Sequence, residues 1–206
     1  MSNALADVTP GFRDAVHGAQ QAFRSLLDAT ARPGRIVELP PMATGGIEPP
    51  QGMGVGMAAL LLALLDAETT LRLGGALAGD APLAYLRFHT GVREALPGEP
   101  AAFHVLEAAD APASVWATLE AGSDEAPQRG ATLIVEVPAL HEGNGLQLRG
   151  PGIESAHRLA VAGLTRDFWR ERIAMQPLFP RGVDLVLVCG TRLAAIPRST
   201  HLRFED

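Results

Sequence analysis

Apolar residues near the start of the chain recur at spacings of three and four. Phe12, Val16, Ala19, Phe23, Leu26 and Leu27 mark one stripe of a helix. Thr9 can cap that helix, Pro10 suits its first turn, and Pro33-Gly34 stops it. The stripe needs a sheet or a partner helix to cover it, whereas Arg13, Asp14 and Arg24 read as a solvated edge. Shorter apolar runs then predict strands at Arg35 to Leu39, Thr69 to Leu73, Ala102 to Leu106, Thr132 to Val137, Gly145 to Arg149, Val183 to Cys189 and Leu193 to Ile196. Helices are expected from Val55, at Pro112 to Ala121 and at Thr165 to Gln176, the last burying Phe168, Trp169 and Ile173. Asn144-Gly145 reads as a hairpin turn between the two middle strands. This alternation predicts one α/β domain over residues 1 to 206, a mixed sheet covered by helices. Pro40 to Gly54 and Gly122 to Arg129 lack periodicity and are expected as mobile loops.

Composition narrows the function. All 17 basic residues are arginine, so no lysine is present to form a pyridoxal phosphate or aldolase Schiff base, or to complete a Walker-type P-loop. A net charge of -6 with scattered arginines argues against nucleic acid as a partner. Cys189 is the single cysteine and follows Leu185 to Val188, so disulfides, thiolate zinc sites and iron-sulfur clusters are not expected. Apart from His89, the five histidines His17, His104, His141, His157 and His201 show no metal-ligand spacing among themselves. The segment Met1 to Asp7 lacks the basic and apolar regions of a secretory signal, which makes a cytoplasmic protein the expectation. Val55 to Leu65 is too short to span a membrane, which takes roughly 20 apolar residues. Gly52, Gly54 and Gly56 precede it, but the third glycine of a dinucleotide fingerprint falls on Met57, so a flexible connector is expected.

Three groups carry candidate chemistry. Gly150-Pro151-Gly152 follows a strand, where the N–H groups of Gly152 and Ile153 can cradle a phosphate beside Arg149; a tight turn explains the same residues. His89 can act as acid or base, with Arg87 and Thr90 beside it to hold an oxyanion, or it can simply be hydrogen-bonded at the end of an element. Asp184 and Arg198 belong to neighbouring strands, either as a structural ion pair or as a polar patch, with Thr200 two residues on. No nucleophile elbow or glycosidase-like carboxylate pair is visible.

Five separated motifs stand in an order that resembles the PhnH family of the bacterial carbon-phosphorus lyase system. They are Phe23-Arg24 with Pro33-Gly34, Arg87 to Gly91, Gly130 to Ile134, Gly150 to Ile153, and the block Phe179 to Asp184 with Ile196 to His201. Ser199 stands where the family more usually has threonine, and the loop Pro40 to Gly56 is richer in glycine and proline. The resemblance implies a fold like that of the pyridoxal-phosphate-dependent transferases without their cofactor site, and no cofactor. It implies an accessory subunit working with the G, I and J subunits and forming a homodimer when alone. It further implies a reaction in which a phosphonate replaces adenine of ATP, a step the I subunit performs with help from G, H and L.

Overall fold

The computed structural model describes residues 8 to 205, so the reading made on Met1 to Asp7 lies outside the described residues. In chain order the elements are α1 (Ala15–Ala31), β1 (Val37–Glu38), α2 (Pro41–Thr44), α3 (Val55–Leu64), β2 (Thr70–Leu73), α4 (Asp80–Thr90), β3 (Arg93–Glu94), β4 (Phe103–Glu107), β5 (Thr132–Glu136), β6 (Leu140–Arg149), β7 (His157–Val161), α5 (Arg166–Ala174), β8 (Asp184–Cys189), β9 (Arg192–Ile196) and β10 (His201–Phe204). Seven strands form a mixed sheet in the order β1-β9-β8-β5-β4-β2-β3, parallel from β8 to β3 and antiparallel at β9 and β1. A second, antiparallel sheet holds β10-β6-β7.

The central strands are apolar on both faces, as helix-covered strands must be. Ile134 and Val186 point into a core shared with α1, α3 and α4, while Leu133, Val135, Leu185 and Leu187 point into a second core. There they meet Trp116, Phe168, Trp169 and the inner face of the small sheet, Leu146, Leu148, Leu159 and Leu202. The mixed α/β sheet follows the sequence reading; the second sheet goes beyond it, because neither β7 nor β10 falls in a predicted strand. Asn144-Gly145 is no hairpin turn: it lies within β6, where the register against β7 shifts between Glu142 and Leu146.

Helix α1 starts later than expected. Asp14, not Thr9, is its cap, and accepts the His17 N–H at 3.0 Å. The Thr9 and Pro10 carbonyls are taken by distant elements, accepting from Tyr85 Oη at 3.3 Å and Glu48 N at 2.9 Å at Pro10 and pairing with the His89 ring at 3.0 Å at Thr9. The apolar stripe is turned as well. The face packed inward carries Gly18, Ala22, Ser25, Leu26 and Ala29, leaving Val16, Phe23 and Leu27 at 63%, 44% and 51% exposure. Small residues win the inward position because α1 lies close against α3, itself rich in alanine and leucine.

Two further expectations change. Pro112 to Ala121 forms only 3-10 turns over Ala113–Thr118, where Trp116 Nε1 donates to the Phe168 carbonyl at 2.9 Å and tertiary packing fixes the backbone. Pro40 to Gly54, expected as an irregular loop, contains α2. Of the glycines expected as a flexible connector, Gly52 faces open space, whereas Gly54 and Gly56 are packing elements: a Cβ on Gly56 would stand 2.1 Å from the Gly190 carbonyl oxygen, and one on Gly54 1.9 Å from Glu136 Oε1. Gly56→Ala is therefore expected to destabilise the fold by about 2 kcal/mol, since backbone and not a yielding side chain blocks the methyl group. A thermal melt that matched the unsubstituted chain would remove this reading of the glycine run.

Candidate functional site

Three motifs converge on Arg198. The residue lies just past β9, which pairs antiparallel with β8, so the chain returns beside Asp184 at the start of β8. Asp184 Oδ1 accepts the Arg198 backbone N–H at 2.7 Å, Arg198 Nε reaches both carboxylate oxygens at 3.2 Å, and Nη2 donates to Oδ2 at 2.6 Å. Nη1 donates to the Pro127 carbonyl. Gly130 gives this guanidinium its room, since a Cβ there would lie 2.3 Å from the Gly182 carbonyl oxygen and 2.6 Å from Arg198 Nη1, and Gly182, at φ +145°, lies against the Arg198 stem, where a Cβ would stand 3.1 Å from that of Arg198. The glycines of two sequence motifs thus admit the arginine of a third.

Beneath this pair lies a residue the sequence reading missed. Arg172 of α5 is only 2% exposed; its Nη2 donates to the Pro197 carbonyl at 3.0 Å, and its Nε has no partner among the described residues. Burial pushes its pKa down to about 10, opposed by the nearby Asp184 carboxylate and aided by Arg198. The signal was its register: Arg172 follows Phe168 by four residues and so shares the buried face of α5. Thr200 is 1% exposed, and its Oγ1 likewise lacks a partner among the described residues.

Gly150-Pro151-Gly152-Ile153 closes as a turn, with Ile153 N–H donating to the Gly150 carbonyl at 3.1 Å. One of the two donors proposed for a phosphate cradle is therefore spent on the turn, and no helix begins at Glu154. Gly152, at φ +80°, sits where a Cβ would stand 2.1 Å from the Ala31 carbonyl oxygen, which fits the turn onto the end of α1. Gly150 abuts the Ser199-Thr200 backbone.

The third group lies across the main sheet. His89 Nε2 is 3.0 Å from the Thr9 carbonyl oxygen, and its ring packs edge-on against Tyr85 and Phe88 at centroid distances of 4.7 and 5.0 Å. Thr90 Oγ1 donates to the Leu86 carbonyl at 2.7 Å and accepts the Val92 N–H at 3.1 Å, while Gly91 in the left-handed conformation ends α4. Arg87 alone points to solvent. The structure therefore brings Asp184, Arg198, Thr200 and Gly150 together and leaves Arg87, His89 and Thr90 on the opposite face.

A cavity of about 600 Å³ escaped the sequence reading. It opens on the face of β2 and β4 opposite α4 and is lined by Arg72, Glu99, His104, Leu119 and Glu120. Arg72 Nη2 donates to the Leu96 and Glu99 carbonyls at 3.1 and 2.9 Å, and Arg93 forks onto Glu99 at 2.8 and 2.5 Å. That fork, with the Leu96 N–H, holds the Glu99 carboxyl down at about 2. His104, 7% exposed, is pushed down to about 4 by burial and then by Arg72. Among the described residues no three His, Cys, Asp or Glu side chains are grouped to hold a metal, and no helix is long and apolar enough to cross a membrane.

The family model described as a bacterial phosphonate metabolism protein (PhnH) matches residues 10–203. The chain belongs to the PhnH family. One PhnH relative, the alpha-D-ribose 1-methylphosphonate 5-triphosphate synthase subunit PhnH of Rhizobium meliloti (strain 1021), is 37% identical over 94% of this chain and 94% of its own. Another, the protein HtxG of Stutzerimonas stutzeri, whose name places it with C-P lyase subunits, is 38% identical over 90% of this chain and 86% of its own. The PhnH match embraces both the Arg198 cluster and the α4 group, so neither lies outside the shared region.

Proposed function

We propose that this chain is an accessory subunit of a carbon-phosphorus lyase core assembly, acting as one unit over residues 1 to 206 in the cytoplasm beside G, I and J subunits. The kinship to a synthase subunit supports the pathway. The single structural observation that supports an assembly role is the apolar stripe of Val16, Phe23 and Leu27, which α1 presents to solvent while packing its small residues inward. The candidate polar groups are meanwhile engaged at home: Asp184 with Arg198, His89 with Thr9, Thr90 with its own helix end. In the reaction the resemblance implies, a phosphonate oxygen bonds to C1′ of ATP as the C1′–N9 bond breaks and adenine leaves with a proton. The same reading gives the chain a homodimer when isolated, and the transferase-like fold the family shares.

The test is adenine release from ATP and methylphosphonate by reconstituted G, I, J and L subunits, with and without this chain. Release is expected only when the chain is present, to persist with Arg87→Ala, and to fall together with co-purification when Phe23 and Leu27 are both replaced by aspartate. Full release without the chain overturns the proposal. Loss with Arg87→Ala in an intact complex would put this side chain in a shared active site instead.

A further inference from the structure

The outer face of the small sheet carries an arginine row. Along β6 and its neighbours the leucines Leu146, Leu148, Leu159 and Leu202 turn inward, so by the two-residue repeat Gln147, Arg149, Arg158 and Arg203 turn outward. The register aligns them: Arg203 of β10 stands opposite Gln147 of β6, and Gln147 opposite Arg158 of β7. Strands lie about 4.8 Å apart, so the two guanidinium-bearing positions flank the amide across roughly 10 Å. Arg149 is next on the same face and its Nε donates to Gln147 Oε1 at 3.2 Å. Gln147, though outward-facing, is only 8% exposed, closed in by the side chains around it. A cavity of about 690 Å³ lies over this row, lined by Asn144, Gln147, Arg158, Arg203, Phe204 and Glu205, a volume in the range of small-molecule sites.

The charge count decides the ligand. Arg158 is paired with Glu205 at 2.5 Å, the carboxylate within the cavity among the described residues. Arg203 has no carboxylate partner among the described residues, which leaves the lining with two arginines against one glutamate on a chain whose net charge is -6; Arg149, bonded to Gln147 beside the cavity, is likewise without one. Guanidinium groups hold phosphoryl oxygens as forks, and a row of them at this spacing matches an extended anion better than a single one. The row runs across the strands, whereas an acidic peptide added to the sheet would run along them.

We infer that the outer face of β10-β6-β7 is a binding site for a small molecule carrying at least two linked phosphoryl groups, held by Arg203 and Arg158 with Gln147 between. This goes beyond the assembly role and needs only the isolated chain, so each can fail without the other. The test is calorimetric titration of the full chain with inorganic tripolyphosphate, orthophosphate, ATP and adenosine. Tripolyphosphate is expected to bind at least about tenfold more tightly than orthophosphate, and Arg203→Ala and Arg158→Ala each to weaken it about tenfold. Arg203→Lys, which keeps the charge without the fork, should recover part of that loss. Arg170→Ala, an exposed arginine of α5 paired with Asp167, should leave it unchanged. ATP binding more tightly than tripolyphosphate supports the site and adds the nucleoside to it; equal binding supports a site for the phosphates alone. No tripolyphosphate binding, equal binding of orthophosphate, binding of adenosine instead, or indifference to Arg203→Ala in a variant that melts normally overturns it.

Discussion

Arg198→Ala is expected to destabilise the protein by about 3 kcal/mol, a loss typical of removing one member of a buried, hydrogen-bonded pair. The arginine side chain is 16% exposed and Asp184 35%, which places the value at the lower end, because water screens part of the attraction. The cost comes mostly from what is stranded. Asp184 keeps one bond, from the Arg198 backbone N–H, the Pro127 carbonyl loses its donor, and the space that Gly130 leaves for the guanidinium empties. Arg198→Lys should recover only part of the loss, since an ammonium cannot reach the carboxylate and Pro127 together. Asp184→Asn keeps the Oδ1 acceptor and should cost less, about 1–2 kcal/mol. Denaturant unfolding of the three variants checks this ordering. A loss below about 1 kcal/mol for Arg198→Ala would mean a pair worth no more than a surface one, leaving its residues available to a ligand or partner.

How far the sequence disclosed this arrangement differs from place to place. The β8 and β9 strands, and the meeting of Asp184 with Arg198, were legible because period-two burial and a short turn fix an antiparallel register. The turn at Gly150 was equally legible as an alternative, since glycine and proline state their backbone needs locally. Helix α4 was not, because Pro82 stands inside Asp80 to Thr90 and argues against a helix, although Ala81, Ala84, Tyr85 and Phe88 recur at helical spacing; its burial rests on Pro82, Tyr85 and Leu86. The face of α1 was misjudged because large apolar residues were given the inward position, and tight packing against α3 selects alanine and glycine instead. The second sheet was hidden by β7 and β10, which are short and half polar; their leucines alone would not distinguish strand from loop. The arginine row is visible only once that sheet's register is known.

Between pH 6.5 and about 4 the protein is expected to lose about 3 kcal/mol through His104 alone. The sign follows from the depressed value: an unfolded histidine takes up its proton near pH 6.5, whereas the folded one resists until about pH 4. Over that window the unfolded chain binds more protons, so stability falls as pH falls, and below about 4 the contribution levels off. The cause is the loss of water around a ring that is 7% exposed, followed by repulsion from Arg72; Glu99 and Glu120 line the same cavity but do not offset it. Glutamates also titrate in this range, among them Glu136, whose carboxyl is raised by burial and whose effect runs the other way, disfavouring the folded state as pH rises from 4.5. The measurement is therefore a difference: stability at pH 7 minus stability at pH 4.5, for the protein and for His104→Asn, which keeps a polar side chain and removes the proton site. The substitution should shrink that difference by about 2.5 kcal/mol whatever it does to stability at neutral pH. An unchanged difference would show that His104 accepts its proton in the folded state, with the cavity wet enough to solvate an imidazolium beside Arg72.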